Sequence, residues 1–330
     1  MAVQLFKKKA KHQGRVGVAC VPGKLAIAHL EQRNGSPHLL DAQVHDLESK
    51  DNQKELLSKC VKKMDLEDRQ CSYVLSPDEY SLNLVEAPAV EPEELRSAVR
   101  WSVKDLLDMK IDDAAIEVFP VPDDAYRGRK MVYVVATAKS RIQKIVEMVT
   151  NAGLELAIID IPELTMKNVV SAFIDDSNGA AFMDLRRTGS TMNISHDGSL
   201  YLTRRINTQM GPDVMQSPEW GNLRDRLVLE IQRSLDYFES QMNKGQLTRI
   251  IIAQRQSDTA EITRELNELL TAQVTALNLA DHMQSDISLL PELQQIAMTA
   301  IGATLRGMKK QEIELPSPTS PQPDAEQEAA

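Results

Sequence analysis

Residues 178–206, NGAAFMDLRRTGSTMNISHDGSLYLTRRI, read as three short strands joined by tight turns at Arg187-Thr188-Gly189 and His196-Asp197-Gly198. Glycine enters positive φ without a Cβ clash, so Asp-Gly favours a two-residue hairpin. The flanking runs at 180–185, 191–195 and 200–206 carry the β-branched and apolar residues that strands prefer. A matching layout stands near the start of the chain. GRVGVACVPGKLAIAHLEQRNGSPHLLDAQV, residues 14–44, predicts a strand to Cys20, a Pro22-Gly23 turn, a strand to Leu30, an Asn34-Gly35 turn and a third strand. Two such units about half a chain apart, each followed by helix-forming sequence, imply a duplicated α/β architecture.

After the first unit, residues 50–64 place Leu56, Leu57, Cys60, Val61 and Met64 on one helical stripe with charges opposite. Residues 71–75 and 80–85 alternate as a strand pair around Ser76-Pro77-Asp78, and Pro88 and Pro92 end that pattern. A separate unit is expected from there. Pro92 opens a helix to about residue 107, with Glu93 and Glu94 set against the positive end of its dipole. Strands at 115–121, 131–138 and 154–160 and a helix at 140–152 complete a compact βαββαβ-like insertion. Trp101 stands off the stripe formed by Leu95, Val99 and Leu106, so it is either covered by the 122–130 loop or the first lobe, or it faces a partner.

A helix after Pro162 leads into the central strands. Beyond them Leu223, Leu227, Ile231, Leu235, Phe238 and Met242 describe a long amphipathic helix ended by Gly245. A strand at 249–253, a helix through Ile262 and Leu266, a strand at 272–277 and a helix at 291–305 follow. From Gln311 the acidic, proline-rich tail has too little apolar surface to offset its ordering entropy and is predicted to be disordered. The expected divisions are 1–88, a first lobe with a basic arm; 89–161, the insertion; 162–310, a second lobe whose closing helix returns to the first; and 311–330, the tail.

A chain of 330 residues holds roughly two domains. No run of about 18 apolar residues is present to span a bilayer. The cluster Lys7, Lys8, Lys9 and Lys11 follows a very short apolar run, the reverse of a secretory signal, so a cytoplasmic location is expected. That arm reads as a solvated tail or as a weak attraction to an anionic membrane surface, about 1 kcal/mol per basic residue. Cys20, Cys60 and Cys71 are odd in number and widely spaced, which suits free thiols better than a disulfide framework or a zinc site. The net charge of −10 argues against nucleic acid as the main partner.

Several chemistries are excluded. GVACVPGK, residues 17–24, spaces its glycines wrongly for a P-loop and puts Leu25 where a magnesium-binding hydroxyl belongs. The histidines form no ligand spacing, and no Gly-x-Ser-x-Gly elbow occurs. Glu230 and Arg233, three residues apart on the long helix, read as a surface ion pair or as a ligand contact.

Taken in order, LFKKK (5–9), the insertion, GLELAIIDIPEL (153–164), the Asp184 strand, EIQRSLDYF (230–238), LTRIIIA (247–253) and AIGATLRGM (300–308) resemble the PilM-like, actin-like type IV pilus assembly proteins. The pattern is most similar to the mannose-sensitive haemagglutinin branch of that family. The resemblance covers about residues 5–308. It implies an actin/FtsA-type fold with magnesium and ATP between two lobes, held by two Asp-x-Gly hairpins. Here Ala19, Val21 and Ala26 stand at the first hairpin's Asp, Gly and Lys positions, and Arg186 stands at the second hairpin's glycine. The adenosine-side glycines become Ala253, Gln254, Arg255 and Gln256. What remains of the implied cleft is Gly23 and Lys24 in the first turn, Asp184 and Thr191 in the second unit, and Glu230, Arg233 and Gly302 on helices. Losses in three places are hard to reconcile with hydrolysis, which depends on positioned metal and phosphate contacts.

The resemblance therefore implies a non-catalytic scaffold with a degenerate nucleotide site and no catalytic residue. Its implied partner is the cytoplasmic N-terminal segment of a PilN-like inner-membrane protein, through which it would lie peripheral to that membrane; self-association is left open. The implied docking residues are Tyr73 and Leu75, Leu82 and Leu84, and Trp101. The competing readings are a weak ATPase with Asp184 as metal carboxylate, favoured by nucleotide binding, and an FtsA-like filament protein, favoured by ATP-dependent polymerisation.

Overall fold

The computed structural model describes residues 14–49, 52–242 and 244–308. The first repeat forms an antiparallel meander, β1 (Arg15–Val21), β2 (Lys24–Arg33) and β3 (Ser36–Asp46). After α1 (Gln53–Lys63), β4 (Gln70–Val74) returns parallel to β1. A three-stranded unit then intervenes, formed by β5 (Ser81–Glu86), α2 (Pro92–Val103), β6 (Ala114–Pro120) and β7 (Met131–Ala138). The chain comes back through α3 (Lys139–Asn151) to β8 (Glu155–Asp160), parallel to β4, and on into α4 (Pro162–Phe173).

The second repeat copies that order. β9 (Ala180–Asp184), β10 (Ser190–His196) and β11 (Ser199–Ile206) form a meander. Then α5 (Trp220–Met242), β12 (Arg249–Ala253), α6 (Thr259–Leu269) and β13 (Gln273–Leu277) add parallel strands beside β9. A two-residue strand, β14 (Gln284–Ser285), joins the far edge of the first sheet at β3, and α7 (Pro291–Thr304) closes the described chain. The sheets run β14-β3-β2-β1-β4-β8 and β11-β10-β9-β12-β13, so without β14 the two orders are identical. The β10–β11 turn is as its sequence requires: Asp197 and Gly198 both take positive φ, and the buried Asp176 carboxylate accepts from the Gly198 N–H at 3.0 Å.

Between the sheets lie α4 and α7, whose Met166, Val169, Ala297 and Ile301 share one apolar cluster with Ala26 of the first sheet and Phe182 and Ile251 of the second. Two glycines permit this density. A Cβ on Gly17 would sit 1.9 Å from the Ala300 carbonyl, and one on Gly302 would sit 2.5 Å from that of Thr165.

The predicted 71–75/80–85 strand pair is not a hairpin. β4 stays in the first sheet, whereas β5 pairs antiparallel with β7 in the three-stranded sheet β5-β7-β6. The reason is that β4 is already flanked by β1 and β8, so β5 has no edge to join there. β8, expected inside the insertion, is the strand that takes that edge. The α2 stripe stops at Val103: residues 104–106 tighten into a 3₁₀ turn that leaves Leu106 exposed. The insertion is tied to the second lobe by a Tyr126–Tyr237 hydroxyl contact of 3.1 Å. Asp124 adds to this, accepting from Tyr201 at 2.7 Å and pairing with Lys244 at 2.6 Å. The predicted tail lies outside the described residues.

Candidate functional site

The β1–β2 turn and the β9–β10 turn face each other across a cleft of about 330 Å³. Ala19, Val21, Pro22, Leu75 and Pro162 line one side, and Asp184, Arg186, Gly189, Thr191 and Thr299 the other. An adjoining groove of about 590 Å³ shares Cys20, Val21, Pro22, Pro77, Thr188 and Arg205 and reaches Gly23, Leu47 and Gln53. The position follows from topology. In open α/β sheets the carboxyl ends of the parallel strands border a crevice, and here the ends of β1, β4 and β9 line it.

On the second-lobe side Arg186 lines the cleft and Arg255 lies buried behind it. Arg186 Nε donates to Asp184 Oδ2 at 2.6 Å, and Arg186 Nη2 donates to Thr299 Oγ1 on α7 at 2.9 Å. Arg255, only 1% exposed, donates Nη1 to the Leu185 and Met210 carbonyls at 2.8 and 3.1 Å and Nη2 to the Gly211 carbonyl at 2.7 Å. Burial pulls its guanidinium below the ordinary arginine value, opposed by the negative charges of Asp258 and Asp184. Sequence reasoning saw only that Arg255 displaced a glycine. An arginine two residues past a buried apolar strand, with Asp258 three residues on, was the available signal.

The predicted remnant residues do not converge. Asp184 and Thr191 line the cleft and Gly23 the adjoining groove, where its φ of +74° serves the turn. Lys24 is turned to Asp46, at 2.7 Å. Glu230 and Arg233 pair at 2.7 Å on the exposed side of α5 and line neither cavity, as the surface-pair reading expects. Gly302 meets α4 rather than the cleft.

The implied docking residues are also dispersed. Tyr73 and Leu75 are buried, Tyr73 accepting from Gln53 Nε2 at 2.8 Å. Leu82 and Leu84 line a slot of about 600 Å³ with Tyr80, Tyr133, Arg204 and Tyr237. The slot lies between β5 and β11, each the edge strand of its sheet. Trp101 is 74% exposed, so neither the 122–130 loop nor the first lobe covers it. It sits on α2, whose Val99 and Val103 pack with Val132 and Val134 on the sheet face opposite Leu82 and Leu84.

The cleft offers a magnesium ion no unpaired carboxylate among its lining residues. Asp184, the only carboxylate among the residues lining it, is committed to a guanidinium. The Arg186 side chain lines the cleft, and Arg255 is buried behind it. Among the described residues no group of three or more His, Cys, Asp or Glu is placed to hold a metal ion. Nor is any described helix long and apolar enough to cross a membrane.

No family model matches the chain, and no curated protein sequence matches it. Solved structures do. A chain of a PilM-PilN type IV pilus biogenesis complex superposes with a TM-score of 0.69 at 15% identity, covering 91% of this chain and 100% of that one. A Bacteroides thetaiotaomicron protein of actin-like ATPase fold and unknown function gives 0.48 at 10% identity, over 82% and 93% of the two chains. The cytoplasmic domain of EpsL, an inner-membrane component of the Vibrio cholerae type II secretion system, gives 0.47 at 11% identity, over 87% and 94%. With its repeated sheet order, its two interleaved helices and its inserted three-stranded unit, the chain has a PilM-like, actin-like ATPase fold.

Proposed function

We propose that the chain is a non-catalytic actin-like scaffold of a type IV pilus assembly platform, of the MshI type that serves the mannose-sensitive haemagglutinin pilus. Its partner on this reading is the cytoplasmic N-terminal segment of an inner-membrane protein of the PilN or MshJ kind, which keeps the chain at the cytoplasmic face of that membrane. The observation that carries the reading is the superposition along the full length of a chain from a PilM-PilN complex. The pairing of the cleft's one lining carboxylate, Asp184, with Arg186 supports the non-catalytic half of it.

For the docking half, an extended segment has a natural seat in the slot between β5 and β11. Edge strands offer backbone groups to an added strand, and alternate side chains then fill pockets; here β5 is the edge to be extended, since on β11 the Thr203 N–H already donates to the Tyr133 hydroxyl at 3.0 Å. Leu82 and Leu84 provide the apolar floor, the tyrosines its walls, and Arg204 and Arg205 the charge for an acidic position. Trp101, on the opposite face of the insertion, supplies a second contact of the large aromatic kind that dominates binding energies.

The test is capture of the full-length membrane partner in detergent. Leu84→Asp and Trp101→Ala should each weaken capture by roughly thirtyfold, the equivalent of about 2 kcal/mol. Trp101→Ala should leave the melting temperature unchanged because so little of the side chain is buried. Undiminished capture by both variants rejects these docking sites, and ATP-dependent filaments from the purified chain would reject the scaffold reading itself.

A further inference from the structure

In open α/β sheets the carboxyl ends of the parallel strands border the ligand crevice, and in this chain the arginine after β9, Arg186, lines that crevice while the arginine after β12, Arg255, lies buried behind it. β9 and β12 are adjacent and parallel, with Ala181 opposite Ile250 and Met183 opposite Ile252. One strand passes through Leu185 to Arg186, the other through Gln254 to Arg255. The two side chains form one structure, because Arg255 holds the Leu185 carbonyl, which belongs to the peptide unit leading into Arg186.

We infer that Arg186, braced from within the second lobe by Arg255, replaces a bound magnesium nucleotide as the tie between the two lobes, so that lobe closure is built into the chain and needs no ligand. Arg186 brings Asp184 the positive charge that a metal would otherwise bring. It reaches across to Thr299 on α7, a helix packed against Gly17 of the first sheet, and so joins the second-lobe turn to the first lobe. A second tie runs beside it: the Gln256 N–H, next to Arg255, donates to Gln295 Oε1 on the same helix at 3.0 Å. Arg255 meanwhile gathers the carbonyls of three loop residues, Leu185, Met210 and Gly211, and so braces the second-lobe turn from which Arg186 reaches out. A buried guanidinium is retained only where such acceptors and a counter-charge surround it, and Asp258 stands at 3.8 Å. The tie follows from the fold and is independent of the docking slot.

The experiment uses the full chain and reads thermal melting and amide hydrogen exchange. For the parent, millimolar Mg-ATP or Mg-ADP should leave the melting temperature unchanged, since a ligand that bound the folded state would raise it. Arg186→Ala should raise exchange by about tenfold both in the 186–189 turn and in α7 around Thr299, as a lost tie loosens its two ends together. Arg255→Ala should melt lower, and low-millimolar guanidinium chloride should restore part of the loss in this variant while failing to raise the parent. A nucleotide-dependent rise in the parent overturns the inference. So does an Arg186→Ala variant whose α7 exchange matches the parent, a readout that survives even if Arg255→Ala fails to fold.

Discussion

Glu163 carries a role that nothing in its sequence neighbourhood announces. In the first turn of α4 it reads as an ordinary acid facing a helix dipole, yet it is 1% exposed, accepts from the Tyr80 hydroxyl and has Arg205 Nε at 3.8 Å. Desolvation is the largest influence and, with Asp160 nearby, holds its carboxyl above the ordinary range against the pull of Tyr80 and Arg205. A carboxyl raised in the folded state gives stability that is complete below its unfolded value of about 4.3 and is lost as pH rises through the folded value. Glu163→Gln keeps an acceptor for Tyr80 and removes the buried charge. It should therefore melt about 2 °C or more above the parent at pH 8, an advantage that shrinks as the pH falls toward 5; a constant offset would contradict the assignment. The contact with Tyr80 spans 83 residues, which is why local pattern could not reveal it.

Among the elements, α7 shows a correct local reading given the wrong purpose. Its helix is plain from the Pro291 start and the apolar run, but Gly302 looked like a nucleotide glycine and is instead the point where α7 meets the α4 backbone. Gly302→Ala would place a Cβ 2.5 Å from the Thr165 carbonyl oxygen, a backbone atom that cannot rotate away. The helices must separate, and overpacking of this kind costs about 1–3 kcal/mol. The urea midpoint should fall accordingly with an unchanged slope; an unaltered midpoint would mean that the helices part freely. α2 teaches the converse, since its periodicity extended past Val103 but the chain tightened into a 3₁₀ turn and left the stripe.

At the scale of the molecule the two repeats, their helices and the insertion form one body, because Val121, Tyr126 and Tyr133 of the insertion share an apolar cluster with Ile231 and Phe238 of the second lobe. The segment from Gln311 onward lies outside the described residues and is poor in apolar side chains. Its deletion should leave the melting temperature within about 2 °C, and a larger fall would show that it contributes to the core. The sequence by itself determined the repeated meander and nearly every helix and strand, because Asp-Gly and Asn-Gly turns, proline starts and apolar periodicity act over a few residues. It also exposed the substitutions at Ala19, Arg186 and Arg255 that disturb the cleft. Only the tertiary structure decided that β5 pairs with β7 and β8 with β4, that Trp101 is bare, and that Arg186 pairs with Asp184 in the cleft while Arg255 is buried behind it. Those outcomes depend on which edges remain free and which charges find partners once distant segments meet, and neither is a property of any local stretch.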